Sequence, residues 1–248
     1  MNLPTSVLRP RASRAAPARV VLALALVLAS AGCALRGGEQ ARPDAGAPPA
    51  LWETQRQITE YVDSGRYEAD VARVVDEAQQ WLDARAPQVP RPAIVLDIDE
   101  TSLSNWRAYR LNGWARILDG DCDLTHGPCG IRAWQALHLA AAIAPTRRLV
   151  ARAHELGVAV FFVTGRPSDL RDATERNLRE QGFTWDGVVL APKGATFASA
   201  ADFKAPERRR LVERGYTVLL SMGDQQSDLD GGSAERTFKL PNPVYFLP

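Results

Sequence analysis

The chain has 248 residues, of which 46% are hydrophobic and 24% are charged, and its formal net charge is +1. These proportions are typical of an ordinary globular protein with one large domain or a domain with an added subdomain. Without residues 1–32, which hold four arginines and no acidic residue, the net charge falls to −3. This excludes the basic footprint of a nucleic-acid-binding protein.

Residues 1–32 are predicted to form a secretory signal peptide. Their arginines precede a short apolar run at 20–31, which is followed by Gly32 and Cys33. A basic segment, a short apolar core and small residues are the parts of such a signal, and the run is too short to span a bilayer comfortably. Cys33 stands where a bacterial lipobox has its lipidated cysteine, so we expect a periplasmic or cell-envelope protein anchored to the membrane through Cys33. The alternative is an ordinary signal-peptidase site at residues 29–31, which read ASA.

Two segments lead from the signal to the first predicted strand. Residues 33–50 are predicted to be a flexible tether, because 39–50 are rich in glycine, alanine and proline. Residues 51–85 have the apolar periodicity of a helical extension that packs on the rest of the domain. Its apolar stripe consists of Tyr67, Val71, Val74, Val75, Ala78, Trp81 and Leu82.

The stretch at 93–105, which reads AIVLDIDETSLSN, is the centre of the predicted fold. Residues 93–96 form a continuous apolar run, which is typical of a strand buried on both faces. The strand delivers Asp97 and Asp99 at its carboxyl end, where open α/β sheets bind ligands. Two carboxylates so close repel each other unless a cation or a shared proton intervenes. A divalent cation and a phosphate ester both suit the pair, and the alternative is a strand that runs into an acidic helix start.

An aromatic-rich insertion at 103–144 follows directly after these carboxylates. It holds Trp106, Tyr109, Trp114 and Trp134. We expect most of these rings to be packing residues. Because the insertion comes straight after the two aspartates, it is also a candidate wall or cap for their site, where one ring stacks on a substrate.

Cys122 and Cys129 lie within that insertion and bracket the sequence DLTHGP. In an exported protein, two cysteines so close in a loop with glycine and proline are predicted to form a disulfide. The alternative is a metal site with His126 as a third ligand, but a fourth ligand is missing from the pattern.

The rest of the chain alternates between helices and strands. Helices are predicted at 146–156, at 168–181 with Ser168 as a cap, and from Lys204 to the glycine at 215; strands are predicted at 158–163, 188–190 and 217–222. Continuous apolar strands that alternate with helices indicate a parallel sheet flanked by helices, with the tail at 238–248 closing one edge.

Polar residues recur at the carboxyl ends of these strands. Thr164 follows the second strand, and Asp224 and Asp228 follow the fourth. Together with Asp97 and Asp99 they are expected to converge on one crevice, because these strand ends meet at the same edge of a parallel sheet. Each short motif is weak by itself, whereas the ordered set is specific.

The set resembles the haloacid dehalogenase-like superfamily of phosphohydrolases, and within it the acid phosphatases that include plant vegetative storage proteins and bacterial lipoprotein acid phosphatases. The matching segments are VLDIDETSLSN (95–105), FFVTGR (161–166), FKAPERR (203–209), GDQQSDLDG (223–231) and FKLPNPVYF (238–246). The resemblance implies a Rossmann-like α/β domain at 51–248, with the helical extension and the insertion added to it.

The resemblance also implies a role for each site residue. Asp97 is implied as the nucleophile, which forms an aspartyl-phosphate, and Asp99 as the general acid and base. Thr164 is implied to bind the transferring phosphoryl group and Lys204 to neutralise it, with Lys193 as the alternative lysine. A carboxylate nucleophile splits hydrolysis into two easier displacements, and a hydroxyl and a cation offset charge on the phosphoryl oxygens.

A Mg²⁺ ion is the implied cofactor. The resemblance assigns it to Asp97, the backbone carbonyl of Asp99, Asp224 and Asp228, and clustered aspartates without histidine or cysteine suit this hard cation. Arginines 208–210 are predicted to form a solvated face.

The sequence therefore predicts an exported, Mg²⁺-dependent acid phosphatase that hydrolyses phosphomonoesters. Two alternatives remain at this point. One is a catalytically idle lipoprotein that binds a ligand or partner on the same scaffold, and the other is a phosphotransferase, in which an alcohol replaces water in the second step.

Overall fold

The structure, a computed structural model, describes residues 49–248 of the chain. The predicted signal peptide, Cys33 and most of the predicted tether lie outside these residues. Within 49–248, no helix has the length and apolar character needed to cross a membrane.

The described part alternates between strands and helices as the sequence predicts. Its strands are β1 (Pro92–Leu96), β2 (Leu103–Ser104), β3 (Ala141–Ala142), β4 (Ala159–Pro167), β5 (Gly187–Ala191), β6 (Thr217–Gly223) and β7 (Arg236–Lys239). Its α-helices are α1 (Leu51–Asp63), α2 (Arg66–Arg85), α3 (Trp106–Leu111), α4 (Ile131–Ala136), α5 (Ala144–Glu155), α6 (Arg171–Glu180) and α7 (Ala200–Glu213).

Five of these strands form one sheet in the order β5-β4-β1-β6-β7. Every neighbouring pair in it is parallel, and Val95 at the centre is level with Phe161 of β4 and Ser221 of β6. The predicted α/β fold, a parallel sheet flanked by helices, is confirmed. The tail contributes β7 at the edge of the sheet, as predicted, while β2 and β3 form a separate antiparallel pair.

The central strand buries both of its faces, which explains its continuous apolar sequence. Ile94 and Leu96 belong to the larger core, which also contains side chains of α2, α5 and α6, namely Leu82, Leu149 and Leu178. Ala93 and Val95 point to the other face and pack in a smaller core with residues of α7. Helices on both faces thus leave the carboxyl edge of the sheet as the place for polar residues.

The N-terminal helical extension consists of two helices rather than the single helix that the periodicity predicts. The break falls at Gly65, whose φ of 77° lies in the left-handed region. Glycine adopts this conformation without the steric cost of a Cβ atom, so the chain turns here between α1 and α2. The predicted apolar stripe is buried in α2, except that Trp81 is half-buried and donates its Nε1–H to the Leu219 carbonyl at 2.9 Å.

Two predicted helix starts are wrong. Ser168 does not cap α6, which begins at Arg171; its hydroxyl accepts the backbone N–H of Lys193 at 3.1 Å instead. Helix α7 begins before Lys204, because Ser199 caps it and exchanges hydrogen bonds with the first turn. Lys204 therefore lies inside the helix, one turn further along than predicted.

Candidate active site

Two adjacent strands bring three aspartates together at the carboxyl edge of the sheet. Asp97 follows β1, and its backbone N–H donates to the Met222 carbonyl of β6 at 2.9 Å. Asp224 follows β6, and Asp228 comes one short turn later. One carboxylate oxygen from each of the three lies within 4.8 Å of the others, and all three residues are buried.

A glycine at the end of β6 makes room for this cluster. A Cβ atom on Gly223 would lie 2.5 Å from the Asp228 side chain, so no larger residue fits there without a shift. Asp228 is held on the other side by the backbone N–H of Gln225, which donates to its Oδ2 at 3.0 Å. The GDQQSD segment therefore folds its second aspartate back beside β1.

Lys204 supplies the positive charge of the cluster. Its side chain reaches in from α7 and is buried, with Nζ 2.5 Å from Asp97 Oδ1 and 2.6 Å from Asp228 Oδ1. Burial lowers the pKa of Lys204, but the charges of Asp228 and Asp97 outweigh it and hold this pKa above its usual range. Lys193, the alternative lysine, is exposed and pairs with Asp169.

The cluster carries more negative than positive charge. Burial raises the pKa of Asp97 well above its usual range, and the charge of Lys204 offsets this only in part. Burial and then the charge of Asp228 raise the pKa of Asp224 to about 7. Three carboxylates and one ammonium group leave an excess of negative charge, which a divalent cation would balance. Because all the donor atoms are oxygens, the cluster suits a hard ion.

Asp99 faces a different partner from Asp97. The buried guanidinium of Arg166 donates from Nη2 to Asp99 Oδ1 at 2.6 Å and from Nε to both oxygens at 3.1 Å. Asn105 and Gln135 add amide donors at 2.8 and 3.1 Å. Burial raises the pKa of Asp99, but the Arg166 charge and these hydrogen bonds bring it below its usual range. The two aspartates are thus in distinct electrostatic environments.

Thr164, the predicted phosphoryl-binding residue, does not line the cavity above the sheet. It is fully buried in β4, where its Oγ1 accepts the backbone N–H of Arg166 at 3.2 Å. Its neighbours Gly165 and Arg166 line the cavity above the sheet.

That cavity has a volume of about 150 Å³, and all four predicted aspartates contribute to its lining. Asp97, Asp99, Asp224 and Asp228 open into it together with Lys204. The predicted role of the insertion as a wall is confirmed, since it contributes Tyr109, Arg116, Leu118, Ile131, Arg132 and Gln135, and the tail contributes Tyr245 and Leu247.

Most of the aromatic residues of the insertion are packing residues, as predicted. Trp106 and Trp114 stack edge to face with ring centroids 5.3 Å apart, and the buried Trp134 donates to Asn105 Oδ1 at 2.9 Å. Tyr109 is the exception, because it also lines the cavity.

Glu100 is a site-forming residue that sequence reasoning missed. It is fully buried with a left-handed φ of 52°, and its carboxylate accepts from the Asn105 backbone at 2.6 Å and from the hydroxyls of Tyr245 and Tyr109 at 3.0 and 3.3 Å. Burial and the charge of Asp99 raise the pKa of Glu100 to about 7. Glu100 ties the acidic loop to the insertion and to the tail. The sequence did contain a signal for this residue, namely a third acidic side chain directly after the two aspartates of the motif.

The predicted solvated face at 208–210 is wrong for Arg208. This side chain is buried, and it donates to the backbone carbonyls of Asp228 and Gly232 at 2.5 and 2.9 Å and also to that of Asp230. Arg209 and Arg210 are exposed, as predicted. Helical spacing puts Arg208 one turn after Lys204, on the face of α7 that meets the aspartate loop.

Cys122 and Cys129 are joined by a disulfide in the structure. The bridge lies in the loop of the insertion that leads to α4. His126, the ligand of the alternative metal site, is exposed between them and faces Asp123.

The family follows from comparison with known proteins. A family model described as HAD superfamily, subfamily IIIB (acid phosphatase), matches residues 40–248. The chain belongs to this subfamily. Acid phosphatases release phosphate from monoesters, so the protein is a phosphomonoesterase of the hydrolase class.

Curated relatives of this HAD subfamily IIIB protein come from plants. It is 32% identical over 193 residues to the stem 28 kDa glycoprotein of Glycine max, covering 76% of this chain and 72% of the relative. It is 31% identical over 195 residues to acid phosphatase 1 of Solanum lycopersicum, covering 77% and 73% of the two chains.

A solved structure shares the fold of this HAD subfamily IIIB protein. The class C acid phosphatase from Bacillus anthracis superposes with a TM-score of 0.62 at 23% identity, covering 78% of this chain and 86% of that one. At this identity the likeness is one of fold.

Proposed function

We propose that this protein is an exported, Mg²⁺-dependent acid phosphatase that hydrolyses phosphomonoesters through an aspartyl-phosphate on Asp97. The observation that carries the proposal is the separation of the two aspartates, with Asp97 beside Lys204 and Asp99 beside Arg166 in one cavity. One carboxylate is then available to attack phosphorus while the other handles the proton.

The acidic cluster is the proposed Mg²⁺ site. Carboxylates of Asp97, Asp224 and Asp228 would hold the ion, with the backbone carbonyl of Asp99 as a further ligand. When bound, Mg²⁺ supplies charge neutralisation for phosphoryl oxygens and for the crowded carboxylates. The amide groups of Gln225 and Asn242 each donate to Asp224 Oδ2 at 2.6 Å, so this carboxylate has its orientation fixed.

In the first step, an Asp97 oxygen forms a bond to phosphorus as the bond from phosphorus to the alcohol oxygen breaks. In the free site burial is outweighed by the Arg166 charge, which holds the pKa of Asp99 low. The negative charge of a bound phosphomonoester raises this pKa, and Asp99 then gives its proton to the departing alcohol. Lys204, which is already within hydrogen-bond distance of Asp97, offsets negative charge on the phosphoryl oxygens. The segment after Thr164 lines the same cavity.

In the second step, Asp99 takes a proton from water as the water oxygen attacks phosphorus. The bond between phosphorus and Asp97 breaks, which releases phosphate and restores the Asp97 carboxylate. Asp99 then holds the proton that the next substrate needs, so each turnover returns both aspartates to their starting forms.

The experiment that tests this mechanism uses Asp97→Asn, which keeps the shape of the side chain but removes the nucleophile. We expect hydrolysis of several monoesters to fall by orders of magnitude. Labelled phosphate from a quenched wild-type reaction should remain attached to the peptide that contains Asp97, as mass spectrometry can determine. Full activity of the variant would overturn the mechanism.

Domain organisation and location complete the proposal. Residues 1–32 serve as a signal peptide, Cys33 carries the lipid anchor, 33–50 are a tether and 51–248 are the phosphatase domain. The support is the basic and apolar sequence before Cys33, together with the disulfide, which suits an oxidising compartment. Protein expressed in a bacterium should partition into detergent, and Cys33→Ala should abolish this; a soluble wild-type protein with an unmodified N-terminus would contradict the anchor.

A further inference from the structure

The wall of the cavity contains a guanidinium without a carboxylate partner. Three arginines line the cavity, and two of them are engaged: Arg166 with Asp99, and Arg132 with Asp119 at 2.6 Å. Among residues 49–248, no carboxylate lies within ion-pair distance of the third, Arg116. A positive charge in a partly enclosed cavity attracts an anion more strongly than it would in open water.

The segment that carries Arg116 is held in place from both sides. The backbone N–H of Ala115 donates to Asn112 at 3.2 Å, and the carbonyl of Ile117 accepts from Ile131 at 2.8 Å. The Arg116 guanidinium carbon lies 5.1 Å from the centre of the Tyr245 ring, within the range of a cation–π contact. The guanidinium is therefore oriented before any ligand arrives, which lowers the entropic cost of binding.

Arg116 shares the cavity with Asp99, the proposed proton donor to the departing alcohol. Asp97 and Lys204 mark where the phosphoryl group reacts, and Asp99 marks where the alcohol oxygen departs. Because Arg116 and Asp99 line one small cavity, an alcohol group bound beside Asp99 lies in the same enclosed space as the Arg116 guanidinium.

We propose that Arg116 binds a second anionic group, a carboxylate or a phosphate, on the alcohol part of the substrate. This inference rests on the proposed function and names a substrate class for it: small phosphomonoesters with two negatively charged ends. Guanidinium forms paired, charge-assisted hydrogen bonds with either anion, which a neutral alcohol cannot provide.

The test compares three substrates of similar length: glycerol 1-phosphate, 3-phosphoglycerate, and the bisphosphate of 1,3-propanediol. The wild type should have a kcat/KM for at least one doubly anionic substrate about 10-fold or more above that for glycerol 1-phosphate, as expected for a hydrogen bond between charged groups. Preference for 3-phosphoglycerate alone would identify the carboxylate as the ligand, and preference for the bisphosphate alone would identify the phosphate.

Arg116→Met should reduce this preference to within about 2-fold, chiefly through KM, and should leave kcat for glycerol 1-phosphate within about 3-fold of the wild type. Arg116→Lys keeps the charge and should retain part of the preference. Arg107→Met removes an exposed arginine of the same insertion that does not line the cavity, and it should behave as the wild type.

Two results would overturn the inference while leaving the proposed function intact: a wild type that prefers neither doubly anionic substrate, or an Arg116→Met variant that loses activity equally on all three. Failure of the wild type to hydrolyse any of the three or nitrophenyl phosphate would instead overturn the proposed function. Thermal unfolding of each variant, followed by circular dichroism, identifies losses that come from misfolding.

Discussion

At the scale of single residues, the site depends on giving two neighbouring aspartates different surroundings. Asp97 shares a lysine with Asp228, whereas Asp99 accepts three hydrogen bonds from Arg166. Two carboxylates at i and i+2 would otherwise resist being ionised together. Their partners come from α7 and β4, so each aspartate is controlled by a different element.

The different surroundings predict a different failure for the Asp99 variant. Asp99→Asn retains the proposed nucleophile but removes the proposed proton donor. Its loss of activity should therefore depend on the leaving group: severe for alkyl phosphates and mild for nitrophenyl phosphate, whose leaving oxygen hardly needs a proton. The second step lacks its base, so a burst of one equivalent of nitrophenol should precede slow turnover. Stopped-flow absorbance measures the burst.

Asp97→Asn is the matched control, since it should abolish the burst as well as turnover. Equal losses for alkyl and nitrophenyl esters in Asp99→Asn would contradict the division of roles. A normal rate of nitrophenol release without any burst would show that the second step does not need Asp99.

At the scale of elements, α7 links the sheet to the aspartate loop. Lys204 reaches Asp97 and Asp228, and Arg208, on the same face one turn later, binds backbone carbonyls of the loop that follows Asp228. The helix thereby fixes both the charge and the position of the second half of the acidic cluster.

Arg208→Met should therefore destabilise the fold and disturb the site. Several buried carbonyls lose their donor, and a cost of about 3 kcal/mol in the free energy of unfolding is expected. Urea denaturation measures this cost, and kcat should fall because Asp228 loses its support. Arg209→Met, at the exposed neighbouring position, should change neither quantity measurably. If both variants unfold at the same urea concentration, the buried contacts contribute nothing.

The disulfide loop is the second element with a testable contribution. Cys122 and Cys129 are seven residues apart, so the loop-entropy model predicts that replacing both by serine costs about 2 kcal/mol of stability. The loop continues into the wall that carries Arg116, so KM should rise more than kcat falls. Calorimetry of the oxidised wild type and the double variant measures the first effect. Two free thiols in correctly exported protein would remove the basis of this prediction.

At the scale of the whole molecule, the acidic cluster predicts that stability depends on the binding of a cation. Three buried carboxylates within 4.8 Å repel each other in the folded state and not in the unfolded chain. An ion that binds only the folded state stabilises it by about 2.7 kcal/mol at a free concentration 100 times its dissociation constant.

Mg²⁺ should therefore raise the Tm of the wild type relative to protein in excess chelator, and chelation should abolish activity reversibly. In Asp224→Asn the increase in Tm should be smaller, since one charged ligand is gone. In chelator this variant should be as stable as the wild type or more so, because a buried charge has been removed. An identical wild-type Tm with Mg²⁺ and with chelator would contradict a metal site here.

Local sequence patterns were enough to predict the sheet and the edge at which its polar residues meet. Continuous apolar runs such as 93–96 require burial on both faces, and this requirement depends only on local residues. Asp97 and Asp224 follow two such runs, so their meeting at one edge of the sheet followed from the parallel order of the strands. The family resemblance rested on the same local motifs.

Which distant residues pair across that edge depends on how the helices and loops pack in three dimensions. Lys204 and Lys193 were both plausible from the sequence, and the position of α7 selects Lys204. In the sequence Arg208 looks like its exposed neighbours, but in the structure it is buried against the aspartate loop. Arg166 pairs with Asp99, a contact that no local pattern indicates. A local pattern fixes which face of an element is apolar. The partner of a charged side chain, by contrast, depends on how elements far apart in the chain pack together. This matters because a buried charge without a partner destabilises the fold.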